Sequence, residues 1–316
     1  MAPAPAESNR GRRPPLRALG SSEARLLPLC TFPPPGSEIA LAVSGGADSL
    51  ALLALAAGAG CRPTAYHVDH GLRPDSDCEA DVVRAAAERY AAGFVAKTVT
   101  VPPGPNLEAR ARAARQRALP PDTATGHTAD DQAETMLINM LRGAATDGLA
   151  SMRPGPRHPI LGIRRADTRR LCSELSLDPV EDPSNADMGY LRNRLRHDLL
   201  PELCDAAGRD LVPLLCRQTR HFAEESDFLD ELAGAVDPTD AAALTNAPVV
   251  LARRAVRRWL RAADPDRYPP DSAAVERVLR VARKEVLACE VGGGRRVRRS
   301  AGRLVIEPGS VAPPKR

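Results

Sequence analysis

The chain has no C-x-x-C pair. Its seven cysteines, Cys30, Cys61, Cys78, Cys172, Cys204, Cys216 and Cys289, are odd in number and irregularly spaced. That argues against a disulfide framework and a zinc cluster and fits free thiols in a reducing cytoplasm. No apolar run approaches the roughly 20 residues needed to span a bilayer, so no membrane helix is expected. Residues 1–35 hold arginines and many prolines but no apolar h-region, which excludes a secretory signal and predicts a Pro/Arg-rich, partly disordered segment. Aromatic residues make up only 3% of the chain, which reads as compositional bias. No G-x-x-x-x-G-K-[ST] occurs, so the usual P-loop is absent.

The 316 residues suffice for two domains, each with its own core. The net charge of +4 hides a division. Residues 251–316 carry 17 basic against 7 acidic side chains, whereas 36–250 carry 22 against 31. A basic end on an acidic body suggests a polyanionic partner gripped by that end.

The most informative stretch is Ser44-Gly45-Gly46-Ala47-Asp48-Ser49. Residues 38–43 before it are apolar and fit a buried parallel strand, and 50–55 after it fit a buried helix. A strand, a small-residue turn and a helix N-terminus gather free N–H groups and a positive dipole end at one point, which suits phosphate. Gly45 and Gly46 let phosphate oxygens approach the backbone. Ser44 and Ser49 add hydroxyls. Asp48 does not attract phosphate, but beside a pyrophosphate it makes sense as a Mg²⁺ ligand.

Further strands are expected at 62–70, 93–101, 122–127 and 158–163, with helices at 76–91, 106–119 and 128–142 between them. Alternation of this kind predicts a doubly wound parallel five-stranded sheet, with ligands off the carboxyl ends of its strands. Ser44, His67, Asp69, His70, Gly126 and His127 all fall at such ends. Short helices are read at 166–175 and 190–200. The chain then becomes mostly helical, at 209–235, 247–263 and 271–284, and closes in a small antiparallel sheet. The expected division is an ATP-binding catalytic domain over 36–204 and a smaller basic domain over 205–316.

Asp131 and Glu134 stand three apart on one helical face. They can hold a cation or merely complement the helix dipole, and spacing alone leaves both open. Arg112 and Arg115 lie one turn apart on an Arg-rich helix. His67 and His70 have no acid or thiol at a spacing that completes a zinc set.

The hexapeptide resembles the S-G-G-x-D-S loop of the ATP pyrophosphatases. Four more stretches resemble one family within them, the bacterial tRNA(Ile)-lysidine synthases: 67–73 (His-Val-Asp-His-Gly-Leu-Arg), 106–115, Gly126-His127-Thr128-Ala129-Asp130-Asp131-Gln132-Ala133-Glu134-Thr135 with Leu141-Arg142-Gly143, and Asp182-Pro183-Ser184-Asn185 followed by Arg192-Asn193-Arg194-Leu195-Arg196-His197. The likeness is close over about 39–200 and looser over 250–307. His158-Pro159-Ile160-Leu161 departs from the family's Arg-Pro-Leu-Leu.

The resemblance implies a two-step ligation that uses ATP and Mg²⁺. The carbonyl oxygen at carbon-2 of the wobble cytidine in a CAU-anticodon isoleucine tRNA is adenylated. The ε-amine of free L-lysine then attacks carbon-2 and expels AMP. The loop residues Ser44, Gly45, Gly46, Ala47, Asp48 and Ser49, with His67, Gly126 and His127, would hold the nucleotide. Asp131 and Glu134 would hold the lysine, and Arg112 would meet the phosphates or developing charge. Arg192, Asn193 and Arg196 would contact the lysine carboxylate or the tRNA.

Arg253, Arg254, Arg257 and Arg258, with Arg295 and Arg296, would form the tRNA backbone footprint. A tRNA thiolase of the same superfamily is the nearest alternative, but it needs reactive cysteines that no C-x-x-C supplies. A non-catalytic nucleotide-sensing or RNA-binding protein is the other, against which Asp48, Asp131 and Glu134 count. The sequence leaves the oligomeric state open, a homodimer included.

Overall fold

A continuous apolar run at 39–43 and one tight turn start the architecture. The computed structural model describes residues 20–69, 76–100, 107–181, 186–264 and 270–308. Residues 1–19 of the expected N-terminal segment, His70, the Asn106 cap and 182–185 lie outside them. So does the side chain of Arg112, whose backbone belongs to a helix.

A short helix, α1 (Ser21–Leu26), precedes strand β1 (Glu38–Ala42), in which Ile39 and Leu41 are buried. Helix α2 (Ala47–Gly58) buries eight consecutive residues, Ser49 to Ala56. A helix apolar all round belongs inside a fold, and α2 is the spine of the main core. Then follow β2 (Arg62–Asp69), α3 (Ser76–Arg89), β3 (Gly93–Thr98), α4 (Leu107–Ala118), β4 (Ala124–Thr125), α5 (Ala129–Leu141), α6 (Thr146–Leu149) and α7 (Arg165–Glu174).

The four strands form a parallel sheet in the order β3-β2-β1-β4. Leu41 of β1 is in register with Ala65 of β2 on one side and Ala124 of β4 on the other. The order turns at β1, so the loop after β1 opens at the sheet's switch point.

The fifth strand expected at 158–163 does not form, and the sheet has four. Pro159 has no N–H to give a ladder. The segment instead makes successive turns, with Leu161 N–H donating to the His158 carbonyl and Ile163 N–H to that of Ile160. Its carbonyls serve other segments: that of Pro159 accepts from Thr31 N–H and that of Ile163 from Ala129 N–H. Ile160 and Ile163 are nevertheless fully buried, so the apolar run is a core plug rather than a strand.

The expected helix at 190–200 is longer and irregular. Helix α8 (Leu191–Arg194) runs through a π turn, Leu195–Leu199, into α9 (Leu200–Ala207). Single π turns of this kind are frequent at functional sites. Helix α10 (Val212–Gly234) follows. Contacts divide the chain into two compact units, one up to Arg220 and one from His221, so the division falls inside α10. The sequence reading set it at 204/205.

In the second unit come α11 (Ala241–Asn246), α12 (Val249–Ala263) and α13 (Ser272–Ala282), then β5 (Ala288–Glu290), β6 (Arg295–Ser300) and β7 (Arg303–Pro308) in an antiparallel sheet. Helix α12 turns Ala252, Ala255, Val256 and Leu260 into the core. Arg254 is on that same inward side, only 7% exposed. Its Nη1 donates to Asp230 Oδ1 at 2.7 Å and to the Ser226 hydroxyl at 3.1 Å. Its expected place in a nucleic-acid footprint is therefore corrected: a buried guanidinium already paired cannot meet a phosphate. Removing one partner of such a pair strands the other's polar groups. Arg254→Ala should cost roughly 2–4 kcal/mol, read as a lowered urea midpoint at unchanged slope.

Candidate active site

Gly45 has φ +86°, a left-handed conformation that L side chains avoid. It turns the chain sharply after β1, so that Gly46 caps α2. Ser49 locks the turn: its hydroxyl donates to the Gly46 carbonyl at 2.8 Å and accepts from Ser44 N–H at 3.2 Å. Val180 N–H closes on the Gly45 carbonyl at 3.0 Å. Among the described residues, no hydrogen bond uses the N–H groups of Gly45, Gly46, Ala47 or Asp48. Four backbone donors at and just before a helix N-terminus are thus left without a protein acceptor among the described residues, a disposition suited to an anion.

His67 is 2% exposed, its Nδ1 3.1 Å from the Val43 carbonyl. With Nδ1 as the donor, Nε2 is a buried acceptor without a partner among the described residues. Gly126 lies against the first turn of α2. A Cβ there would sit 2.9 Å from the Asp48 carbonyl oxygen and 3.1 Å from Ser49 N. His127 is drawn aside into a group with Thr125 and His158: its Nδ1 is 2.6 Å from Thr125 Oγ1 and 3.3 Å from His158 Nδ1. Burial and the neighbouring Arg157 hold the His158 imidazole below its ordinary pKa.

The acids converge beside the loop. Thr128 caps α5 and donates both N–H (2.9 Å) and hydroxyl (2.8 Å) to Asp131 Oδ2. Glu134, one turn on, is 1% exposed. Three arginines surround it. Arg165 Nη1 reaches Oε1 at 3.0 Å, Arg192 Nε reaches Oε2 at 2.9 Å, and Arg196 donates from Nε to Oε1 at 2.8 Å and from Nη2 to Oε2 at 3.1 Å. Arg165 also donates from Nη2 to Asp131 Oδ1 at 2.9 Å, and its Nε lies 3.5 Å from Asp48 Oδ2.

Asp48 Oδ1 accepts from the Thr168 hydroxyl. Burial raises the Asp48 carboxyl above its usual range, against the pull of Thr168 and Arg165. Burial pushes Asp131 the same way, but Arg165, the Thr128 N–H and Arg192 outweigh it and hold this carboxyl below its usual range. One acid is thus poised for more positive charge, while the other is already supplied.

The structure brings Asp48, Asp131, Glu134, Arg192 and Arg196 together beside the loop. Asn193 belongs to the same helix, but its amide donates to the Asp187 carbonyl. The sequence singles out neither Arg165 nor Thr168, and it shows Asp130 in the α5 motif without a role. Arg165 sits in a run of ordinary charges, and no local period separates it from Arg164, which instead clasps Asp130 and Asp210.

In the second unit Arg253 pairs with Glu276, Arg258 donates to the Asp230 carbonyl at 2.7 Å, and Arg295 pairs with Asp264. Exposed Arg296 and half-buried Arg257 carry no ion pair among the described residues.

The parallel sheet and its S-G-G-x-D-S turn define a PP-loop nucleotide-binding domain, and the comparisons agree. The family model of the PP-loop domain matches residues 21–203, and that of the TilS substrate binding domain matches 240–305. The chain is 43% identical over 248 residues to a tRNA(Ile)-lysidine synthase of Nocardia farcinica, covering 72% of this chain and 77% of that one. It is 40% identical over 248 residues to the corresponding protein of Rhodococcus opacus, covering 72% and 75%. Among solved structures, the U34-tRNA thiolase NcsA from Methanococcus maripaludis superposes with a TM-score of 0.50 at 17% identity, over 64% of this chain and 78% of that chain, a likeness of fold. The chain belongs to the tRNA(Ile)-lysidine synthase family. Among the described residues no helix is long and apolar enough to cross a membrane.

The close approach at Gly126 has a measurable consequence. Its neighbours are backbone atoms of α2, which cannot swing away as a side chain would. Gly126→Ala should therefore destabilise the first unit by about 1–3 kcal/mol, seen in urea unfolding followed by circular dichroism.

Proposed function

We propose that this chain joins free L-lysine to carbon-2 of the wobble cytidine of the CAU-anticodon isoleucine tRNA, through an adenylated tRNA, releasing pyrophosphate and then AMP. The ligase class and the action on tRNA(Ile) accord with family membership. The observation that carries the residue-level reading is the convergence of Asp48, Asp131 and Glu134 around Arg165, next to four unbonded N–H groups.

In the first step the loop N–H groups and the Ser44 hydroxyl bind the phosphates of ATP, with His67, Gly126 and His127 beside the nucleotide. The orphaned acceptor His67 Nε2 fits a hydroxyl or amine donor of that ligand. Asp48 would hold Mg²⁺. Its raised carboxyl pKa and the single long ion-pair contact of Oδ2 fit a cation still to be supplied. A bound Mg²⁺ would offset the charge building on the departing pyrophosphate. Arg112, on α4, would serve the same charge.

In the second step Asp131 and Glu134 hold the lysine ammonium, and an acid there can take its proton so that the amine attacks neutral. Both acids are met by guanidinium groups, so the ammonium enters by displacing one of them. Arg192, whose side chain is 32% exposed, is the outermost of the three. A displaced Arg192, with Arg196, is then free for the lysine carboxylate or the tRNA.

Thiol-based sulfur transfer fits less well. Burial raises the Cys172 and Cys216 thiols to about 11 and that of Cys30 to about 12, away from the reactive thiolate. A reaction on tRNA, ATP and free lysine fits the cytoplasm, where we place it.

The test is incubation with ATP, radiolabelled lysine and tRNA, following pyrophosphate and label separately in single turnover. Asp48→Ala should abolish pyrophosphate release with tRNA binding kept. Glu134→Gln should still release pyrophosphate but transfer lysine poorly, with a raised lysine KM; equal loss of both steps would assign this acid to the nucleotide.

The tRNA footprint is proposed for the exposed and half-buried basic side chains of the second unit. Neutralising Arg253, Arg257, Arg258 and Arg296 should reduce the slope of log affinity against log salt by about one per lost phosphate contact. An unchanged slope in filter binding would return these arginines to the solvated surface.

A further inference from the structure

The acids assigned above to two different chemical steps share one guanidinium. Arg165 offers Nε to Asp48 on α2, Nη2 to Asp131 and Nη1 to Glu134 on α5, at 3.5, 2.9 and 3.0 Å. Its side chain is 16% exposed. A planar fork meets three carboxylates from two helices through three separate nitrogens at fixed angles; a lysine ammonium gathers its three donors on one nitrogen at the end of a flexible stem.

The fork is aimed from behind. Arg165 begins α7, and its backbone N–H donates to Asp130 Oδ2 at 2.7 Å. Asp130 is in turn held from the other side by Arg164 Nε and Nη2 at 3.1 and 3.0 Å. One turn along α7, the Thr168 hydroxyl stands between the Arg165 carbonyl oxygen (2.8 Å) and Asp48 Oδ1. The guanidinium and a hydroxyl of one short helix thus grip Asp48 from two directions. Helix α7 also packs against α2.

We propose that Arg165 is the positioning residue that couples the two half-reactions. It sets the separation between the phosphate side of the site, through Asp48, and the amine side, through Asp131 and Glu134. Carbon-2, activated at the first by adenylation of its oxygen, then lies within reach of the amine held at the second. Geometry of this kind governs the rate of attack more than affinity does. The inference rests on the two-step reading given above.

A purely structural ion pair would affect stability and, through it, both steps in proportion to the folded fraction. A coupling residue acts on the folded enzyme. The variants are Arg165→Ala and Arg165→Lys in the full-length chain, with wild type and Asp48→Ala alongside. Pyrophosphate release and lysine transfer are followed separately, with KM for ATP and for lysine, the melting temperature, and rescue by millimolar methylguanidinium.

In wild type both products should form; their absence there would overturn the two-step reading itself, whatever Arg165 does. With wild type active, Arg165→Ala should slow both half-reactions at least tenfold in folded protein and raise both KM values. Methylguanidinium should restore both rates in Arg165→Ala and neither in Asp48→Ala. Arg165→Lys keeps the charge without the fork and should stay impaired in both steps.

If Arg165→Ala does not fold, Arg165→Lys carries the test by the same two rates. The proposal fails if one half-reaction keeps its wild-type rate while the other falls. It fails equally if Arg165→Lys is fully active, or if a folded Arg165→Ala shows no guanidinium rescue.

Discussion

A glutamate that is 1% exposed needs counter-charge, because a lone carboxylate in a low-dielectric interior costs several kcal/mol, on the order of the stability of a whole domain. Glu134 receives it three times, from Arg165, Arg192 and Arg196. Much of the first unit's shape follows from this. Helix α5 must present Glu134 and Asp131 inward, α7 must begin where Arg165 can reach them, and the helix from Leu191 to Ala207 must lay two arginines on the same carboxylate. The π turn at Leu195–Leu199 falls within that last helix and contains Arg196.

Charge balance suits this cluster to the proposed site better than to a brace. Three acids, Asp48, Asp131 and Glu134, face three arginines. Replacing both partners of a buried ion pair with apolar groups often leaves a fold equally stable, so networks of this size are poor devices for stability alone. They are good devices for receiving a charged substrate. The side-chain ammonium of an amino acid can take a guanidinium's place at one acid, and its carboxylate can meet the guanidinium displaced. The loop after β1 is the opposite case: four backbone N–H donors have no bonded acceptor among the described residues, a disposition suited to an anion.

The second unit follows a simpler logic. An amphipathic α12, packed with α11, α13 and a three-stranded sheet, displays arginines on whichever sides the core does not use. Neighbours in sequence have opposite fates there. Arg253 is exposed and Arg254 is core, a rotation of one residue on the helix apart.

The sequence by itself determined the parts whose physics is local. A continuous apolar run at 39–43, a glycine turn needing positive φ and an apolar helix specify the β1–loop–α2 unit without reference to the rest of the chain. The i, i+3 spacing puts Asp131 and Glu134 on one face of α5. The cysteine pattern argues against a disulfide framework and a zinc cluster. The tertiary structure alone decided which of two adjacent arginines enters the acid cluster, because Arg165 lies 31 residues from Glu134, and Arg192 and Arg196 lie 58 and 62 from it. It also turned an apolar run at 158–163 into a plug, since Pro159 and the chain at Thr31 take the groups a ladder would have used. Periodicity reports which side of an element is buried; which partner it is buried against depends on how distant elements pack, and that information is spread over the whole chain.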